Sequence, residues 1–75
     1  MSSIGQAVGA AVRARREALG WSQEGLGFRA GLDRTYVSGV ERGVRNPTLE
    51  TLSRLSDAFE CNLSELIADA EARSA

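Results

Sequence analysis

The sequence predicts an all-α fold, a compact bundle of five short helices in one domain. Three observations carry this. Apolar residues recur at spacings of three, four and seven, and no segment sustains the period-2 alternation of a strand. Helix-starting residues (Ser22, Asp33, Thr48, Asn62) stand just ahead of the apolar stretches. Glycines stand just behind the first three helices, at Gly20, Gly31 and Gly43.

Taken in order, Ile4, Ala7, Val8, Ala11, Val12 and Leu19 form one stripe, which predicts a first helix from about residue 3 to 18. Ser22 caps a second helix, with Trp21 and Leu26 at the two positions of a hydrophobic staple. The acidic position of its capping box holds Gly25 instead. Asp33 caps a third helix, with Leu32 and Val37 as staple and Val37 and Val40 on its buried side. A loop "VRNP" carries the only proline, and Thr48 then caps a fourth helix bearing Leu49, Leu52, Leu55 and Phe59. "NLSE" is a capping-box signature opening a fifth helix with Leu63, Leu66 and Ile67. The polar tail "ADAEARSA" is expected to fray.

With 75 residues, the chain buries a limited fraction of its surface, so dimerisation is expected. Hydrophobic residues make up 43% and charged residues 25%, a globular composition. No apolar run approaches the roughly 20 residues of a membrane span. At the N-terminus the apolar residues precede the arginines, the reverse of a signal peptide, which points to a cytoplasmic protein. There is one cysteine, Cys61, and no histidine. That excludes an internal disulfide, leaves too few ligands for zinc, and removes histidine-based nucleophilic catalysis. Cys61 reads as a small hydrophobe of the fourth helix's end. No phosphate loop, paired-carboxylate signature or metal cluster stands in the sequence, so neither an enzyme nor a cofactor is expected. The net charge of −1 conceals an asymmetry. Residues 13–45 hold seven arginines and four acids, whereas residues 46–75 hold two arginines and six acids. A basic face toward an anion and an acidic part turned away fit that distribution.

The stretch "SQEGLGFRAGLDRTYVSGVERG" has the pattern of two short helices joined by a tight glycine turn, a helix-turn-helix over about residues 22–42. Gly27 supplies the small residue where the second helix presses on the first, and Gly31 supplies the turn. Leu26, Ala30, Leu32, Val37 and Val40 face a shared core. The longer stretch "WSQEGLGFRAGLDRTYVSGVERGVRNPTLETLSRL" resembles the lambda-repressor-like, Cro/CI-type (XRE-like) helix-turn-helix family, over roughly residues 10–68. "AGLDRTYVSGVERG" and "RNPTLETL" look especially like the small controller proteins of restriction–modification systems. The chain departs from the family at Gly27, where alanine is usual, and at Gly25, where a helix former is usual.

The resemblance implies a five-helix bundle that binds a double-stranded DNA operator as a homodimer. In this geometry the third helix enters the major groove. Arg34, Thr35 and Ser38 are then the expected base contacts, Arg34 through a bidentate bond to guanine. Gly39, without a side chain, is expected to let the helix sit deep. Backbone contacts are expected from Ser22 and Gln23, which open the second helix, and from Tyr36, Arg42, Arg45 and Asn46. The family's structural glutamate matches Glu41, and its arginine partner matches Arg16. Dimerisation is assigned to about residues 48–69, with Leu49, Leu52, Leu63, Leu66 and Ile67 at the interface. The two recognition helices would then lie one DNA turn apart, roughly 34 Å, on a near-palindromic site. An activator would also need RNA polymerase as a partner, with Glu24 or Asp57 as candidate contacts. The competing reading is an antitoxin, or an adaptor that binds protein through the same fold.

Overall fold

The structure, a computed structural model, describes residues 3–74, so Ala75 at the end of the tail lies outside it. Among these residues there are five helices: α1 Ile4–Ala18, α2 Gln23–Ala30, α3 Arg34–Glu41, α4 Leu49–Ala58 and α5 Leu63–Ser74. None is long and apolar enough to cross a membrane.

The starts of the helices follow from side-chain caps. The Ser22 hydroxyl accepts from the Gly25 N–H at 2.9 Å, and the Asp33 carboxylate accepts from the Thr35 N–H at 2.9 Å. Thr48 accepts from the Thr51 N–H at 3.1 Å, and the Glu65 carboxylate accepts from the Asn62 N–H at 2.9 Å. A capping box at Ser3 and Gln6 begins α1.

Ala7, Val8, Ala11 and Val12 of α1 are buried, as their stripe predicts; Ile4 and Leu19, at its two ends, remain about half exposed. They pack with Leu26, Ala30, Val37, Val40, Leu52, Leu55, Leu66 and Ala70 into one core. The helix-turn-helix, α2 and α3, sits against α1 on one side and α4 on the other. Trp21 stacks on Phe59, with ring centroids 6.1 Å apart and an interplanar angle of 14°. That contact ties the end of α4 to the start of α2.

Two expectations are corrected here. The tail does not fray: α5 continues to Ser74, because Ala70 is fully buried and α5 lies along α1. Asp69 accepts from Arg73 at 2.8 Å and faces Arg15 across the helix pair at 3.8 Å. Leu66 and Leu52 are not surface residues. Leu66 is fully buried inside this chain's own core and has no face to offer a partner, while Leu52 is nearly as buried and shows only an edge in an apolar cleft. Leu49 remains 75% exposed, and Leu63 and Ile67 are half-buried.

Candidate nucleic-acid interface

The turn between α2 and α3 sets the site. Gly31 has φ +71, a left-handed conformation that residues with a Cβ adopt at a cost. The Leu32 N–H bonds the Gly27 carbonyl at 2.8 Å and closes the turn. A Cβ on Gly27 would stand 2.5 Å from the Leu32 carbonyl oxygen. At Gly27 the missing side chain leaves that carbonyl its room, and the short connection holds α3 against α2.

With Val37 and Val40 held in the core, the opposite side of α3 faces outward. Arg34 and Thr35 are exposed and Ser38 is half-buried. Arg34 also lines an open cleft with Arg16, Ser22, Gln23 and Glu24. The fold therefore brings the N-terminal end of α3 beside that of α2. Two arginines, a serine hydroxyl, an amide and the free N–H groups of a helix start meet there. That combination suits an anion, with Glu24 opposing it in the cleft and Glu41 already pairing with Arg16 beneath it.

Glu41 organises this corner from within. Its side chain is only 2% exposed and that of Arg16 12%. The Arg16 guanidinium donates Nε to one carboxylate oxygen at 2.7 Å and a terminal nitrogen to the other at 3.1 Å. Its remaining terminal nitrogen donates to the Trp21 carbonyl at 2.7 Å. The pair joins the end of α1, the start of α2 and the end of α3. The hydrogen bond to Glu41, outweighing the opposing effect of burial, holds the Arg16 pKa above its ordinary value. Gln23 joins as well: its amide Nε2 donates to the Glu41 carboxylate at 3.1 Å. The sequence carries no signal of that third member, which lies 18 positions from Glu41.

The remaining sequence candidates separate. Tyr36 is half-buried against the core, and the Arg45 guanidinium lies over its ring at 5.7 Å. Arg42 and Arg45 are exposed. Asn46 is exposed too, with its side-chain oxygen near Gly5 and its place in a cleft beside Pro47. Gly39 does not lie open for close approach to a ligand. It is buried beneath the stem of Arg45, whose Cγ would stand 2.5 Å from a Cβ on Gly39. Gly25 has a place as well: its N–H is the donor of the Ser22 cap, and a Cβ there would lie 3.2 Å from the Ser22 hydroxyl.

Comparison with known proteins agrees with this geometry. A helix-turn-helix family model matches residues 12–66. Over 57 residues the chain is 42% identical to the control protein C.MunI of a Mycoplasma species, covering 76% of this chain and 77% of that protein. The restriction–modification controller C.AhdI from Aeromonas hydrophila superposes with a TM-score of 0.79 at 46% identity, covering 81% of this chain and 92% of that one. A structure of C.Esp1396I bound to a 19-base-pair DNA duplex superposes with a TM-score of 0.87 at 28% identity, covering 99% of both chains. On the motif, the fold and these likenesses together, the chain belongs to the Cro/CI-type helix-turn-helix family.

Proposed function

We propose that the protein is a sequence-specific DNA-binding transcription regulator of the restriction–modification controller type, acting as a homodimer on a near-palindromic operator. The observation that carries this reading is the outward side of α3. Arg34 and Thr35 are exposed there while the same short helix anchors the core through Val37 and Val40. A helix held that rigidly by one side and polar on the other fits a major groove. The likeness to a controller solved on duplex DNA supports it. Arg34, Thr35 and Ser38 are our candidates for reading bases, and Ser22, Gln23 and Arg42 for holding phosphates. We read the protein as a binding module rather than an enzyme. RNA polymerase is the further partner expected if the regulator activates, with exposed Glu24 and Asp57 as contacts.

Selection of sites from a labelled random duplex library, at two salt concentrations, tests the reading. A near-palindromic motif should be enriched, and affinity should fall steeply as salt rises. No enriched motif at either salt would overturn it.

A further inference from the structure

Arg45 leaves the α3–α4 loop, yet it does not extend into solvent away from the helix. Its backbone N–H and that of Val44 both bond the Gly39 carbonyl, at 3.2 and 3.0 Å. Its stem then fills the space a side chain would take at Gly39: Cγ, Cβ and Cδ lie 2.5, 3.4 and 3.6 Å from a Cβ built there. The guanidinium ends over the Tyr36 ring, at 5.7 Å from the centroid. Arg45 is thus folded back along α3 toward its N-terminal half. Thr35 and Gly39 are one turn apart and share a stripe of the helix, and Tyr36 borders that stripe.

We propose that Arg45 is a specificity-determining residue of the DNA interface, and that Gly39 positions it. The inference rests on the DNA-binding reading above. The stripe that Arg45 covers is the outward one, which enters the groove with the helix, whereas phosphates line the groove's edges. The stem of Arg45 runs along that stripe, and from its Tyr36 border the guanidinium is within reach of base edges, where its planar fork suits a purine's paired acceptors. The seat over Gly39 and Tyr36 fixes the arginine before DNA arrives, so little ordering remains to be done on binding. Glycine is required at position 39 because any larger residue removes the seat.

The test is library selection with wild type, Arg45→Ala, Arg45→Lys, Gly39→Ala and the Gly39→Ala/Arg45→Ala double variant. Helical circular dichroism is recorded for each. Alanine forms helix better than glycine, and Arg45 can swing away, so Gly39→Ala should fold. Arg45→Ala should lose preference at one base pair per half-site, by roughly tenfold or more. Arg45→Lys should lose the same preference, because it keeps the charge without the fork. Gly39→Ala should reproduce that loss, and it should change nothing further in the Arg45→Ala background. The proposal is overturned if Arg45→Ala weakens all sequences alike, if lysine restores the preference, or if Gly39→Ala acts equally with and without Arg45. A wild type that selects no motif overturns the DNA-binding reading itself.

Discussion

At Gly9 a methyl group would meet the Val40 carbonyl oxygen and stand 2.7 Å from that of Glu41. Both are backbone atoms of α3, so neither can swing aside. Gly9→Ala should therefore push α1 off α3 and cost about 1–3 kcal/mol, measured by urea denaturation. An unchanged midpoint would show that the helices separate freely. Glu41→Ala should cost about 3 kcal/mol in the same measurement, since it leaves the Arg16 guanidinium desolvated and unpaired. The raised Arg16 pKa means its stabilising effect is complete at lower pH and is lost only as pH rises through that value in strong alkali. No dependence near neutrality is expected from this group. Arg34 is a different kind of residue: exposed, with no tertiary role apparent in the structure. Arg34→Ala should leave the melting curve within about 0.5 kcal/mol of wild type. It should relax preference at one base per half-site by about 1–3 kcal/mol in competitive binding. The Arg16–Glu41 pair was legible through family resemblance, and Gly31 through turn chemistry. Gly9 was not, because it sits on an apolar stripe and a glycine there reads as filler until the carbonyls opposite it are known.

Among the helices, α5 changed most between sequence and structure. Its last two turns are polar in sequence, and "DAEARS" has no periodic apolar stripe. One buried alanine, Ala70, and one acid between two arginines, Asp69, hold them on α1. Alanine carries so little apolar surface that pattern reading discounts it. Ending the chain after Ala68 should lower stability by about 1–2 kcal/mol, or roughly 5–10 °C in a thermal melt of a domain this small. A melt unmoved by the truncation would restore the frayed tail. The shorter helices were more readable, since their caps are local: Ser22, Asp33 and Thr48 each bond a backbone N–H two or three residues away. Such contacts need no knowledge of the fold.

Over the whole molecule, charge is spread unevenly. Arg34, Arg42 and Arg45 are exposed in and just after α3, while Asp57, Glu60, Glu65 and Glu71 are exposed in and between α4 and α5. The resulting field would orient the domain on DNA before contact. Away from α3, Leu49 is exposed and Ile67 half-buried; Ile67 borders an apolar cleft with Ile4, Val8, Pro47 and Leu52. Leu49→Asp should shift the protein toward monomer in sedimentation without lowering its melting temperature at low concentration. Operator affinity should then fall roughly tenfold or more, because two half-sites no longer act together. A dimer that survives the substitution would move the interface elsewhere. Of the five leucines and isoleucines expected there, burial removed Leu66 and left Leu52 only its edge in that cleft.

The sequence by itself determined the helix count, the caps, the turn at Gly31 and the family, because each depends on residues close together in the chain or on a motif read as a string. Only the tertiary structure decided which leucines are left over for a partner, why Gly9 and Gly39 must be small, and that Gln23 and Arg45 are held in place. Those facts depend on what stands opposite a residue after the chain has folded. Periodicity assigns a side chain to a face; it does not say which atoms that face will meet.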